Sequence, residues 1–441
     1  MIHKLIVAVL ALASAGISTS AQPKPAVSTG QKWVATWAAS LHGPYPAGNA
    51  SAQPDLRFAF PDAAQGAVDQ SFRLIVKPDL WGDTFRIRLS NTFGVQSVTF
   101  DSVHIGLSAI GGNVVKGTNR PVTFGRRRSV AIAPAASAYS DPVALELPAG
   151  ALTDGRKLAV SFHVSGATGP MTWHAKALQT SYVSPPDSGV HTADESDGAF
   201  PFTTTSWYFL DAVDVMAPNG TIVVCAFGDS ITDGTLSTLN GDDRWPDVLS
   251  RRLHAAYGTR VSVVNAGIGG NRILTPDMYP PPKPFAGGPS ALQRLERDAF
   301  GLSGISAIVL LEGINDISAG ATADDIIAGM RELASRVRAK KLTIVGATIT
   351  SALGANGNSG TPDADRRRQA VNTFIRTGGI FDAVADFDAA TIDPATGGLR
   401  EEFVPNSTVG GAGDRLHPNR AGYQAMGAAV PVEIFAPLVD K

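Results

Sequence analysis

Between residues 31 and 217 the apolar positions recur every second residue in short bursts. Phe85-Arg86-Ile87-Arg88-Leu89 alternates strictly and Phe72-Arg73-Leu74-Ile75-Val76 does so in part. Period two marks a strand with one buried face. Further short β-type runs stand at 98–107, 130–133, 143–147 and 158–164. Turn chemistry separates them: Trp81-Gly82-Asp83, Ile110-Gly111-Gly112-Asn113, Pro148-Ala149-Gly150 and Thr153-Asp154-Gly155. Short strands at this spacing, with no long amphipathic helix between them, predict an antiparallel β-sandwich. From about Thr221 the rhythm changes. Ile222-Val223-Val224-Cys225-Ala226-Phe227 is continuously apolar, and further strand-like runs follow at 261–264, 305–311, 342–350 and 383–387. Helical patterns alternate with them at 245–257, 291–300, 323–340 and 363–376. Such alternation around continuously apolar strands predicts a parallel sheet with helices on both faces. The expected division is 31–218 for the sandwich and 219–441 for the α/β domain, with a hinge at the Asn219-Gly220 turn.

Composition narrows the function classes. The 441 residues are 44% hydrophobic and 17% charged, which provides for a large core and argues against disorder. A net charge of −2 gives no support to a nucleic-acid partner, which calls for a basic excess on one face. Cys225 is the only cysteine, so an intramolecular disulfide and a cysteine-built zinc site are both excluded. Lys4, the apolar run 5–15 and Thr19-Ser20-Ala21 have the layout of a cleaved signal peptide over residues 1–21. The expectation is a chain exported to the periplasm or the exterior, with no membrane span in its mature part.

In an open α/β sheet, ligands bind beyond the carboxyl ends of the strands. Ser230 stands there, behind the apolar run 222–227, in Gly228-Asp229-Ser230. A serine in this place is either a helix N-cap or a nucleophile. A nucleophilic serine needs a base and an orienting carboxylate. Of eight histidines, His417 stands in Gly413-Asp414-Arg415-Leu416-His417-Pro418, three residues after Asp414. The other candidates lie in the sandwich half (His42, His104, His163, His174, His191) or on a helix (His254). Donors for an oxyanion are available in two segments after strands: the turn Asn265-Ala266-Gly267-Ile268-Gly269-Gly270-Asn271, and Glu312-Gly313-Ile314-Asn315-Asp316. Each segment alone is equally a tight turn.

Together, Gly228-Asp229-Ser230-Ile231-Thr232-Asp233-Gly234, the glycine turn, Gly313-Ile314-Asn315-Asp316 and Asp414-Arg415-Leu416-His417 resemble the four motif blocks of the SGNH/GDSL hydrolases, over residues 221–435. The resemblance implies a flavodoxin-like three-layer fold for this half. It also implies Ser230 as nucleophile, His417 as general base and Asp414 as its orienter. The oxyanion hole would be the Ser230 N–H, the Gly270 N–H and the Asn315 side chain, with Gly269 as the alternative to Gly270. No metal or cofactor is implied. The first half resembles the N-terminal region of an exported bacterial subgroup of the family, with a jelly-roll-like sandwich. That similarity rests on Trp33-Val34-Ala35-Thr36-Trp37-Ala38-Ala39-Ser40 and Arg86-Ile87-Arg88-Leu89-Ser90-Asn91-Thr92-Phe93-Gly94. In this layout residues 34–38 are expected as an edge strand of the hydrolase sheet, with the sandwich inserted after it.

The implied activity is a serine esterase working through an acyl-enzyme. Carbohydrate or xylan acetyl esters, and acetylated polysaccharide, are the first expectation. A generalist carboxylesterase, arylesterase or lipase is the alternative, and a non-catalytic carbohydrate-binding protein is the rival of another class. The proline-rich stretch 274–289 is expected to be an extended loop walling the substrate pocket. Met278, Tyr279 and Phe285 are its candidate contacts, with Asp229 as a further one. Glu312 is a candidate hydrogen-bond acceptor behind Asn315, and Cys225 a packing residue. Asp242-Asp243 and the pair Asp363 and Asp365 read as turns and caps rather than metal ligands.

Overall fold

The computed structural model describes residues 30–145, 153, 155–279 and 284–439. The proposed signal segment and residues 280–283 of the proline-rich loop lie outside them.

The first half is built on six principal strands: β1 (Gln31–Ala38), β2 (Val68–Val76), β3 (Thr84–Ser90), β4 (Val98–Leu107), β5 (Leu158–Ala167) and β6 (Leu210–Pro218). They form two antiparallel sheets, with order β1-β6-β3 in one and β2-β5-β4 in the other, each widened by strands of two or three residues. Inward-facing rings fill the space between the sheets: Phe72 and Phe162 stack at 5.0 Å and Phe100 meets Phe209 edge-on at 5.4 Å. This is the sandwich the alternation predicts. One expectation is corrected. Residues 34–38 do not edge the parallel sheet, because β1 pairs along its length with β6, from Gln31 opposite Pro218 to Ala38 opposite Ala212. Among the described residues its hydrogen bonds to the other half are Ala35 N–H to Ser303 O and Ser262 Oγ to Ala35 O, both 2.8 Å.

The second half carries five parallel strands: β7 (Ile222–Gly228), β8 (Val261–Gly267), β9 (Ile305–Leu311), β10 (Thr343–Ala347) and β11 (Ala383–Ala385). Their order is β8-β7-β9-β10-β11, the 2-1-3-4-5 arrangement of flavodoxin-like folds, whose ligands bind where the strand order reverses. Here that point lies at the ends of β7, β8 and β9. The helices are α1 (Ser230–Asp233), α2 (Trp245–Tyr257), α3 (Ala291–Leu295), α4 (Ile314–Ser318), α5 (Ala323–Ala339), α6 (Pro362–Thr377), α7 (Phe387–Thr391), α8 (Arg420–Ala429) and the short α9 (Ala436–Val439). Their starts are chemically marked: Thr322 caps α5 in a capping box with Asp325, Thr361 caps α6 before Pro362, and Asn419 caps α8. The predicted helix 291–300 changes character at Leu295, and Glu296–Phe300 is wound as a π-helix.

β7 shows how the layers divide. Ile222, Val224 and Ala226 pack with Trp245, Leu249 and Leu253 of α2 and with Tyr423 and Met426 of α8. Val223, Cys225 and Phe227 face the other way, into one continuous core that takes in α3, α5, α6 and the sandwich. Cys225 is buried packing. Among the described residues no helix is long and apolar enough to cross a membrane, and no cluster of three or more metal-ligating side chains occurs.

Candidate active site

Ser230 is the first residue of α1, directly beyond β7. Gly228 is required before it, because a Cβ there would lie 2.2 Å from Thr232 Oγ1 and 2.5 Å from the Leu311 carbonyl. Asp229 caps the helix, its Oδ1 accepting the Ile231 N–H at 2.9 Å. As the opening residue of the helix, Ser230 has an N–H that the helix itself does not use.

His417 reaches the serine from 187 residues away, with Asp414 behind it. His417 Nε2 stands 2.8 Å from Ser230 Oγ, and Nδ1 stands 2.6 Å from Asp414 Oδ2. The other carboxylate oxygen accepts the backbone N–H groups of Leu416 (3.0 Å) and His417 (2.8 Å). The turn depends on Arg415 at φ 58°, anchored through Glu401 at 2.6 Å. Pro418 and the Asn419 cap then start α8 immediately after the histidine. Burial works to raise the Asp414 pKa, but the hydrogen bond and charge of His417 and the two backbone N–H groups outweigh it and bring it down to about 2. The His417 pKa is lowered by burial, with a contribution from the Lys176 charge, against the upward pull of Asp414. A neutral imidazole that gives Nδ1–H to a carboxylate offers its Nε2 lone pair to the serine hydroxyl.

The two tandem glycines differ in how their N–H groups are bonded. The Gly269 N–H is taken by Asp233 Oδ2 at 2.9 Å, whereas the Gly270 N–H has no acceptor among the described residues. Gly270 sits at φ +85°, where L side chains are strained. Asn315, in the first turn of α4, gives one amide hydrogen to Asn271 O at 2.9 Å and keeps a second. The switch point thus brings together Ser230, His417, Asp414, Gly270 and Asn315. These groups can deprotonate a hydroxyl and place N–H donors near a developing oxyanion.

Residues 226–425 match the GDSL-like lipase/acylhydrolase family. This region belongs to the SGNH/GDSL family. Similar solved structures include the native aryl esterase of M. smegmatis, with 16% identity over 49% of this chain and 100% of that one, TM-score 0.37. A member of the lipolytic G-D-S-L family from Veillonella parvula has 18% identity over 47% and 96%, TM-score 0.34. A GDSL-like lipase from Bacteroides thetaiotaomicron has 16% identity over 49% and 88%, TM-score 0.34. No curated protein matches the chain.

Several expected contacts fall elsewhere. Asp229 is not a substrate contact: it is buried, committed to capping α1, and packed among Glu312, Asp316 and Arg294. Burial, with Asp316 and Asp233 nearby, pushes its pKa up to about 7 against the Ile231 N–H and Arg294. The Glu312 pKa is raised well above the ordinary value by burial and by Asp229. Its Oε1 meets Arg294 at 3.4 Å and its Oε2 has no partner. The Tyr279 hydroxyl is turned to the sandwich, donating to Gly43 O at 2.7 Å, with its ring edge-on to Phe93. Phe285 carries Arg272 over its ring at 4.6 Å, and Met278 is 77% exposed.

GDSL-region residues outside the expected set hold the site together. Arg294, fully buried, gives its N–H groups to Gly228 O and Ala266 O at 2.8 Å and to Asn271 Oδ1 at 2.7 Å. It thereby ties the ends of β7 and β8 to the glycine turn. Asp316 holds the start of the proline-rich loop through the N–H groups of Ile273 (2.9 Å) and Leu274 (3.0 Å). From the sandwich half, His174 Nε2 lies 3.0 Å from Asp233 Oδ1, and Lys176 Nζ gives a hydrogen bond to Thr235 Oγ1 at 2.6 Å. The Asp233 carboxyl overcomes its burial and is held low by His174, Lys176 and Arg244, while Asp233 raises the His174 pKa against burial. A block such as Gly228–Gly234 gives Asp233 as a polar residue one turn from Ser230. Nothing local in the sequence signals Arg294 or His174.

Proposed function

We propose that this GDSL chain is an exported serine esterase that hydrolyses carboxylic esters, with acetyl esters of carbohydrates as its substrate class. The observation that carries the reading is the hydrogen-bonded line Asp414–His417–Ser230, at 2.6 and 2.8 Å, beside the unused Gly270 N–H. Ser230 Oγ attacks the ester carbonyl carbon as its proton passes to His417 Nε2. The carbonyl π electrons move onto oxygen, which the Ser230 and Gly270 N–H groups and the Asn315 amide receive. His417 returns the proton to the departing alcohol oxygen as the C–O bond breaks. Water, deprotonated by the same imidazole, then releases the acid and restores the serine.

The glycine turn leaves no room for side chains at Gly270 and Gly287. A Cβ on Gly270 would lie 2.6 Å from Asn49 Nδ2, and Gly287 packs against the Gly270 carbonyl. The test is a panel of p-nitrophenyl esters from C2 to C12 beside acetylated xylan, with acid release measured against Ser230→Ala. Turnover highest at C2, with acetate freed from xylan, is the expected result. Turnover highest at C8 or longer would replace the acetyl reading with a lipase. No turnover above the Ser230→Ala control would remove the esterase reading altogether.

A further inference from the structure

The two backbone groups of Gly269 are held from opposite sides. Its N–H goes to Asp233, whose other carboxylate oxygen meets His174. Its carbonyl accepts a hydrogen bond from Asn49 Nδ2 at 2.6 Å. Asn49 lies in the segment joining β1 to β2, at the surface and 220 residues from the glycine. The Gly269 carbonyl and the Gly270 N–H belong to the same peptide unit. That bond is not among the cis peptides of the chain, and in a planar trans unit C=O and N–H point in opposite directions. Gripping the carbonyl therefore aims the N–H directly away from Asn49. A hydrogen bond to the carbonyl also polarises the unit and strengthens its N–H as a donor.

We propose that Asn49 is a positioning residue of the oxyanion site: by donating to Gly269 O it fixes and polarises the peptide that presents the Gly270 N–H. Gly270 lies at φ +85° and is preceded by Gly269, so neither Cα of this peptide unit carries a side chain whose packing would prevent it from rotating. The sandwich half supplies this restraint, with the His174–Asp233 pair steadying the preceding N–H. The inference rests on the esterase reading of Ser230 and goes beyond it by assigning a kinetic role to a residue of the other half.

The experiment uses the full chain with Asn49→Ala, Asn49→Asp and Asn49→Gln, assayed on p-nitrophenyl acetate. The affinity of phenylboronic acid, whose serine adduct is tetrahedral, is measured in parallel. Losing one positioning hydrogen bond should lower kcat roughly tenfold in Asn49→Ala, with KM within about twofold. Phenylboronic acid affinity should weaken by a similar factor. Asn49→Asp should be worse, because a carboxylate faces the carbonyl oxygen, and Asn49→Gln should recover part of the loss. Since Asn49 is exposed, melting temperatures should stay at the wild-type value. An unchanged kcat in both Asn49→Ala and Asn49→Asp, with active wild type, overturns the proposal and leaves the esterase reading standing. So does a loss confined to KM, which would make Asn49 a substrate contact. A wild type with no ester turnover overturns the esterase reading and this inference with it.

Discussion

Replacing Asp414 with asparagine separates the electrostatic role of this carboxyl group from its shape. Oδ1 accepts two backbone N–H groups and Oδ2 accepts the His417 Nδ1–H at 2.6 Å. In Asp414→Asn the amide oxygen stays on the two backbone donors, because giving up both would cost about 2 kcal/mol at roughly 1 kcal/mol each. The amide NH2 is then turned toward Nδ1. Two donors cannot share one bond, so the imidazole proton shifts to Nε2, and Nε2 presents N–H to Ser230 Oγ instead of a lone pair. Restoring the productive tautomer forfeits a charge-assisted bond of about 1.5–3 kcal/mol and leaves a buried donor unpaired at about 1–3 kcal/mol. The middle of that range, about 4 kcal/mol, corresponds to about 10³ in kcat.

Asp414→Ala should be the milder change. Its side chain is 43% exposed, so water can reach Nδ1 and either tautomer remains open. The pH profile supplies a second readout. The His417 pKa lies below its ordinary value because of burial, so the acidic limb of kcat should fall below the ordinary imidazole range. Asp414 is the influence that raises the histidine pKa. Without it, burial and Lys176 act unopposed, and the limb should move further to acid in both variants. Acetate release from p-nitrophenyl acetate between pH 4 and 9, with circular dichroism to check the fold, measures both effects. An asparagine variant within tenfold of wild type, or a limb displaced upward, would refute the assignment of Asp414 as orienter.

Ser230→Ala and His417→Ala should each abolish most ester turnover, and the double variant should lose little more, since groups acting as one unit are not additive. Clearly additive losses in single-turnover assays would contradict a shared proton transfer. Asn315→Ala should cost roughly 10²–10³ in kcat, and Asn315→Asp at least as much, because a carboxylate repels the oxyanion. A near-normal kcat would mean that the second amide hydrogen points elsewhere. Glu312 has its pKa raised in the folded state, so the stability it contributes is complete below the unfolded carboxyl value and is lost as pH rises through the folded one. Glu312→Gln should therefore lose less melting temperature than wild type as pH rises above the ordinary carboxyl range, and an equal loss would place the proton elsewhere in the Asp229–Glu312 pair.

The elements that could be read from the chain are those whose pattern is set by burial alone. β9 is apolar on both faces and α2 is striped, and both fall on the residues their periodicity predicts. β6 has no such clarity. Leu210-Asp211-Ala212-Val213-Asp214 carries two buried carboxylates, acceptable only because Arg88 and Arg86 on the paired strand meet them at 2.7 and 2.8 Å. α8 escaped notice because Gly422 and Gly427, two glycines in ten residues, lower its helix propensity. At the candidate site, Ser230, the glycine turn and Asn315 could be singled out because each stands just beyond a strand of the sheet. The histidines of the sandwich were set aside by chain position, and a distance of 59 residues hides that His174 reaches Asp233. Three-dimensional closeness across a long separation leaves no trace in local pattern.

The arrangement of the two halves bears on what a sandwich does beside a GDSL hydrolase region. A binding module tethered beside a catalytic domain needs only a linker and its own core. Here β7 turns Val223, Cys225 and Phe227 into a core shared with the sandwich, so the parallel sheet would be left with an uncovered apolar face without it. Polar contacts follow the same boundary. Asp79, just after β2, accepts the Val263 N–H at 2.6 Å and meets His254 of α2 at 3.0 Å. Arg297, in the π-helix, donates to Leu41 O at 2.8 Å. These bonds hold segments that lead to the switch point; Asn49 extends them to the glycine turn, and His174 and Lys176 to Asp233 and Thr235 around α1. The chemistry therefore belongs to the junction: the GDSL half presents the reacting groups, and the sandwich fixes the backbone against which they act.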